Sequence, residues 1–405
     1  MKTRPLIYLD YAATTPVDPA VFSAMKPYFS TDFGNPGSLY TFGQRAIAAV
    51  DKARETVAAA IGANFREVIF TGSATEANNL ALRGTIKARQ LQHPKETPRV
   101  LISSLEHESV LETAEDLKRS GAEVVFLSSD KNGSLNIGEL KKSLNERTVL
   151  VSIMYANNEI GTVNSIGKIA EVIKAYRTSN NSQYPLLHTD AVQAFQFLDC
   201  NVQAIGVDLM TLSGHKIYGP KGVGVLYVRR EQERRGLSKT IKNLKPIITG
   251  GGQEYGMRSG TENVPLIVGL AKAMELALKK RPAETVRLAK LRQQLLSGIK
   301  TISKKAQTNG QSEKSSATTT LPNILNVYLP GHSAEDLLTQ LDLSGVAVSA
   351  GSACTARSTQ VSHVLLGLGL SPERAKQSIR FSLGRQTTER DIASTLKVLR
   401  NILRP

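Results

Sequence analysis

Apolar positions along this chain follow two rhythms, and the change from one to the other divides it. From about residue 66 to residue 228, short β-branched apolar runs alternate with stretches whose apolar residues recur at helical spacing. The runs at 67–71, Arg99–Ser103, Glu123–Leu127, 148–154, Leu186–Asp190 and 208–213 predict buried strands, while Glu108–Arg119 and 166–177 predict helices between them. Strand-helix alternation implies a mainly parallel sheet covered on both faces, with ligands gathering where strands end. After residue 264 the rhythm changes. Two long helical patterns, 264–280 and 283–305, precede a polar tract at 306–320 rich in Ser, Thr, Gln and Asn, which reads as a loop. Then come a strand at Ile324–Tyr328, a helix from Ala334, a strand near Val346, a Gly/Ser-rich loop, a strand at Ser378–Ser382 and a terminal helix. This is the pattern of a smaller α+β unit, and no internal repeat is visible.

Bulk properties narrow the class without choosing a function. The 405 residues, 41% hydrophobic and 21% charged, suit a globular chain of two domains. The first apolar stretch, Leu6-Ile7-Tyr8-Leu9, is too short for a secretory signal, and no run approaches a membrane span, so a cytoplasmic location and no membrane partner are expected. The net charge of +16 permits contact with nucleic acid or acidic proteins. Its densest patch, 229–245, holds seven Lys or Arg against two Glu without an aromatic residue for base stacking. A solvated surface is the favoured reading, and nucleic acid is not expected as a partner. Two cysteines give no disulfide framework. Cys200 follows an apolar run and reads as packing; Cys354 lies among Gly, Ser, Ala and Thr, where packing has little to offer.

Other chemical signals are weak one by one. Ser213-Gly-His215-Lys216, followed by Gly219-Pro-Lys-Gly222, ends a strand in a small-residue turn that presents one lysine. Schiff-base chemistry needs a lysine that is partly neutral, which a buried, charge-compensated site supplies. In isolation the same turn would read as a surface lysine. Asp190 ends a strand, with Gln193 three residues on. A buried carboxylate there can keep the ring nitrogen of pyridoxal phosphate protonated, and Gln193 can donate to its phenolic oxygen, although a lone Asp at a strand end is more often a helix cap.

Thr71-Gly-Ser-Ala74-Thr75-Glu76 joins a strand to a helix through small residues that let backbone N–H groups approach a phosphate. No Gly-Lys-Ser/Thr closes it, so it is not a nucleotide P-loop. His107, just past Arg99–Ser103, can stack on an aromatic cofactor and move protons; alone it would be a loop histidine. Asn158 can donate to a ring or merely shape a turn. Signals of this kind at successive strand ends of one sheet point to a shared site.

Cys354 sits in Ser349-Ala-Gly-Ser-Ala-Cys-Thr355, a small-residue loop suited to a travelling nucleophile, against the plainer reading of an incidental thiol. No second cysteine is near enough to give metal-ligand spacing, so no resident metal is expected. Arg380 lies on a strand, where its fork matches a substrate carboxylate or, about as often, a structural acid.

Together these residues resemble a fold-type I pyridoxal-phosphate enzyme of the class V aminotransferase superfamily, and more closely the group I cysteine desulfurases of the IscS/NifS family. The resemblance runs from Tyr8-Leu-Asp-Tyr-Ala-Ala-Thr-Thr-Pro16 to the terminal helix. Its most specific pieces are 213–222, Gly351-Ser-Ala-Cys-Thr355 and Met257-Arg-Ser-Gly-Thr-Glu262. It implies an α/β fold, with a large domain (16–265) around a mainly parallel seven-stranded sheet and a smaller α+β domain (1–15 and 266–405) carrying the cysteine loop.

It also implies that L-cysteine is converted to L-alanine, with the sulfur held as a persulfide on Cys354. Lys216 would hold the cofactor covalently; Ala74, Thr75, Ser213 and His215 its phosphate end; Asp190 its ring nitrogen; Gln193 its phenolic oxygen; and His107 would stack on the ring. Thr261 would reach the phosphate of a neighbouring subunit, implying a homodimer. Arg380, helped by Asn35 and Asn158, would bind the cysteine carboxylate. Partners would be a persulfide acceptor such as an iron–sulfur scaffold or sulfur-carrier protein, and Cys354 could transiently ligate a cluster. A selenocysteine lyase or a class V aminotransferase is the alternative, and the latter would not need Cys354. A sulfur carrier without catalysis would be expected to lack Lys216 or Asp190.

Overall fold

The computed structural model describes residues 6–230, 243–310, 319–351 and 361–403, with backbone alone at 232–233 and 236–237. Seven strands form the central sheet: β1 (Val68–Thr71), β2 (Arg99–Ser103), β3 (Glu123–Leu127), β4 (Thr148–Ser152), β5 (Leu186–Asp190), β6 (Leu209–Ser213) and β7 (Gly224–Val228). Their order is β1-β7-β6-β5-β4-β2-β3, and only β7 runs against the others.

Every residue of β4, β5, β6 and β7 is buried, because successive side chains feed two cores in turn. Val68, Phe70, Leu101, Leu187, Met210 and Val225 point to one face, covered by α1 (Thr41–Ile61). Ile69, Val100, Ile102, Leu186, Leu209 and Leu226 point to the other, covered by α2 (Ala74–Gln92) and α3 (Glu108–Arg119). The 14-residue helix α4 (Ile166–Ser179) lies on the first face.

A second, antiparallel sheet is built from β8 (Gln307–Thr308), β9 (Ile324–Tyr328) and β10 (Ser378–Ser382). The N-terminal segment belongs beside it: Ile7 and Tyr8 pair in parallel with Val346 and Ala347, and Asp10 bridges to Ser382.

The two helical patterns at 264–280 and 283–305 are one helix, the 39-residue α5 (Val264–Ile302), which runs through Pro282. Proline removes one backbone hydrogen bond, yet packing on both sides of it holds the axis. Arg281 donates to the Phe195 carbonyl of the large sheet's core (2.6 Å), and Arg287 to that of Thr387 (2.6 Å), just before α6 (Glu389–Ile402). The helix therefore ties the two sheets together.

The polar tract at 306–320 is not simply a loop. It opens on β8, and the buried amide of Asn309 donates to Asn326 Oδ1 (2.8 Å) and Ser378 Oγ (2.9 Å). Residues 311–318 lie outside the described residues. In the basic stretch 229–245, Arg230 departs from a solvated surface: it is buried, with its guanidinium over the Tyr255 ring at 5.1 Å. Among the described residues no helix is long and apolar enough to cross a membrane.

Candidate active site

Five strand ends of the central sheet open on one cavity of about 450 Å³. β1 leads into Ser73, Ala74 and Thr75; β2 into His107; β4 into Met154 and Asn158; β5 into Asp190 and Gln193; β6 into Ser213, His215 and Lys216. These are carboxyl ends of strands that run in one direction, where loops and helix N-termini leave a crevice. Arg380 from β10 and the small residues Ala12, Ala13 and Thr14 complete the wall.

Lys216 ends the single tight turn Gly214–Lys216 after β6. Its Nζ donates to the carbonyls of Ala12 (2.6 Å) and Ala13 (2.7 Å), so the N-terminal segment aims the lysine. Gln193 Nε2 reaches the same Ala12 carbonyl at 3.0 Å. His215 Nδ1 meets Thr14 Oγ1 at 3.1 Å, and burial, helped by the charges of Lys216 and Lys221, pushes its pKa down to about 4. That imidazole is neutral at physiological pH.

Asp190 accepts hydrogen bonds from two donors, Asn78 Nδ2 (2.9 Å) and the Val192 N–H (3.0 Å). Asn78, fully buried on α2, also donates to Ser109 Oγ at 2.9 Å. Ser109 in turn fixes His107: its backbone N–H donates to His107 Nδ1 at 3.1 Å. With Nδ1 accepting, the neutral ring carries its proton on Nε2. Burial lowers the His107 pKa and Lys216 adds to this, against the pull of Asp190. Behind them His188 on β5 is fully buried between Ser152 Oγ (2.8 Å) and Thr211 Oγ1 (3.1 Å), with its pKa pushed down by burial to about 4.

The opposite end of the cavity is built for an anion. Ser73 caps α2: its side chain accepts from Glu76 N–H (3.1 Å) and its carbonyl from Ala77 N–H (3.1 Å). The N–H groups of Ala74 and Thr75 are left for a ligand at the positive end of a 19-residue helix. Gly224 lets that turn approach the sheet, since a Cβ there would meet the Ser73 carbonyl carbon at 2.6 Å. An anion cradle, a lysine and an anchored carboxylate around one cavity fit pyridoxal phosphate.

Arg380 is 1% exposed. Its Nη2 donates to Asp10 Oδ1 (2.7 Å) and its Nη1 to the Asn158 carbonyl (2.9 Å), while Nε has no partner. The structural ion pair is thus present, and the same guanidinium lines the cavity. Asn158 meets Arg380 through its backbone carbonyl and lines the cavity. Two expected residues lie outside this cavity. Asn35 is exposed and its Oδ1 accepts from Gly37 N–H (2.9 Å). Thr261 is exposed and lines a separate cavity of about 140 Å³ with Glu254 and Arg258. Cys354 lies outside the described residues. Sequence reasoning missed Asn78 and His188 as supports of Asp190 and its neighbours; the one signal was a polar residue at a core position of a helix and of a strand.

The sequence pattern of the aminotransferase class-V family matches residues 7–394. The chain belongs to that family. Within it, relatives are desulfurases: cysteine desulfurase IscS of Dictyoglomus turgidum is 41% identical, covering 98% of this chain and 94% of that one. Cysteine desulfurase IscS of Pectobacterium carotovorum is 44% identical, covering 97% and 92%. The solved structure of a NifS-like protein superposes with a TM-score of 0.86 at 34% identity, covering 98% of this chain and 99% of that one. A structure described as SspA in complex with cysteine gives a TM-score of 0.76 at 34% identity, covering 93% and 98%. This class-V chain is accordingly a fold-type I, pyridoxal-phosphate-dependent enzyme of the IscS/NifS-like group.

Proposed function

We propose that this chain is a cysteine desulfurase, converting L-cysteine to L-alanine and holding the sulfur as a persulfide on Cys354. The observation that carries the proposal is the single cavity shared by Lys216, Asp190, the free N–H groups of α2 and the Arg380 guanidinium. The first three would hold the cofactor, and Arg380 would bind an α-carboxylate. Asn35 and Thr261 are proposed to complete substrate and phosphate binding at a subunit boundary.

Bound pyridoxal phosphate supplies an electron sink that acidifies the substrate Cα–H. Asp190 would hold a proton at the cofactor's ring nitrogen. Lys216 Nζ removes the Cα proton and later returns one. His107 would stack on the ring and deliver a proton from its protonated form, returning to the neutral imidazole. The Cys354 thiolate attacks the substrate sulfur: an S–S bond forms, the C–S bond breaks, and its electron pair passes to the carbon that becomes the alanine methyl. The persulfide is then offered to an acceptor protein for iron–sulfur cluster assembly or other thio-cofactor synthesis, and Cys354 can ligate a cluster transiently.

Cysteine added to the purified holoenzyme under reductant tests this. Alanine and sulfide are expected together, and Cys354→Ser should reduce alanine release to background while the visible band of the bound cofactor persists. A Cys354→Ser protein with full turnover would instead favour the aminotransferase reading.

We also propose a homodimer. Between Phe22 and Phe42 the chain exposes Phe22, Phe29, Phe33, Leu39, Tyr40 and Phe42, with exposures from 44% to 91%. So dense an apolar stretch marks a contact surface. Phe29→Asp combined with Phe33→Asp is expected to shift the sedimentation coefficient from dimer to monomer; an unchanged dimer would place the interface elsewhere. The chain is proposed to divide into a cofactor-holding unit (16–265) and a smaller unit (1–15 and 266–405).

A further inference from the structure

Beside the cavity lies a carboxyl group that the proposed chemistry does not use. Glu106, in the turn after β2, is 0% exposed. The Met154 N–H donates to its Oε1, and its buried Oε2 has no hydrogen-bond partner. The charge that acts on it is Asp190, of its own sign. Met154 and Tyr155 connect the two neighbourhoods: the N–H of Met154 serves Glu106, and that of Tyr155 the Asp190 carbonyl (2.9 Å).

The other titratable groups around it give no strong counter-charge. His107, next in the chain, and His188 on β5 are both driven toward the neutral form by burial. His363, from the short helix His363–Gly367, meets the Glu106 backbone carbonyl through Nε2 (3.0 Å) rather than the carboxyl. Burial and a like charge both disfavour the ionised form of a carboxyl. Asp190 has two N–H donors and opens on the cavity, whereas Glu106 has one donor and an orphaned oxygen. The proton therefore belongs on Glu106.

We infer that Glu106 is a neutral carboxylic acid and a positioning residue for the cofactor: by keeping a proton it leaves Asp190 as the carboxylate that faces the pyridine nitrogen. An ionised Glu106 would push a proton onto Asp190 and weaken its hold on that nitrogen. The role rests on the cofactor reading; the protonation state does not.

Infrared spectroscopy of the cofactor-free protein at neutral pH reads the state directly. The carbonyl stretch of a buried protonated carboxylic acid is expected, shifting in heavy water and absent from Glu106→Gln. Its absence from the wild type would overturn the inference, whatever the fate of the desulfurase reading. Glu106→Gln keeps an acceptor for Met154 and adds no charge, so the pH midpoint of the holoenzyme's visible band should stay in place. Movement by about one unit or more would mean that a charge had been removed and would overturn the inference.

The stability readout has a definite sign. Folded Glu106 retains a proton that the unfolded chain releases above the ordinary carboxylate range. Wild-type stability relative to Glu106→Gln must then fall as pH rises, by about tenfold in the folding equilibrium per pH unit, until the folded group ionises. The Tm of the variant minus that of the wild type should widen from mildly acidic to neutral pH, and a flat difference would count against the proton.

Discussion

Lys216→Ala is expected to lower turnover of cysteine by at least about 10³-fold, the effect of removing a positioned acid–base group whose amine also holds the cofactor. The geometry makes the loss specific to this atom. Nζ sits between the Ala12 and Ala13 carbonyls at the end of a tight turn. Lys216→Arg should be equally inactive, because a guanidinium does not become neutral and cannot take the Cα proton. Both variants should keep a Tm near that of cofactor-free wild type, since neither touches the apolar core. Steady-state alanine release and the visible absorption band are the measurements. A Lys216→Ala protein with more than about one-tenth of wild-type turnover would remove the lysine from the chemistry.

Arg380→Ala should damage stability and binding together. The arginine is fully buried and Asp10 is largely so, with side-chain exposures of 1% and 16%. Removing one member of such a pair leaves an uncompensated charge, at a cost of about 3–5 kcal/mol. It also releases the Asn158 carbonyl at the cavity wall. A fall in Tm is therefore expected on structural grounds alone, and the substrate role needs its own readout. Asp10→Asn provides one: it removes the charge partner but keeps an acceptor, so stability falls while the fork remains. If Arg380 grips the cysteine carboxylate, Asp10→Asn should leave KM for cysteine near wild type and Arg380→Lys should raise it about tenfold or more, because an ammonium cannot make two parallel bonds. Equal KM values across all three proteins would make the arginine structural only.

The site was partly legible before any coordinates. Asp190, Lys216, His107 and the turn after β1 were visible because each ends or follows a recognisable strand, and strand ends are where an α/β sheet collects ligands. Asn78 and His188 were not, since a polar residue inside an apolar pattern shows no partner until another element arrives. The Asn78 amide joins α2 to Asp190 on β5 and to Ser109 on α3, three elements far apart in sequence. Likewise the break between two helical patterns near Pro282 looked like a boundary, and the packing on either side made it one helix.

The chain's own order of residues determined the alternation of strands and helices, the small-residue turns and the chemical types available at each. Those are local properties, set by side-chain periodicity and backbone sterics within a few residues. Only the folded chain decided which groups share a proton or a charge: that Arg380 is already paired with Asp10, that Ala12 and Ala13 aim Lys216, and that Glu106 lies in the field of Asp190. Desolvation and Coulomb energy depend on distance through space, and sequence separation says nothing about that distance.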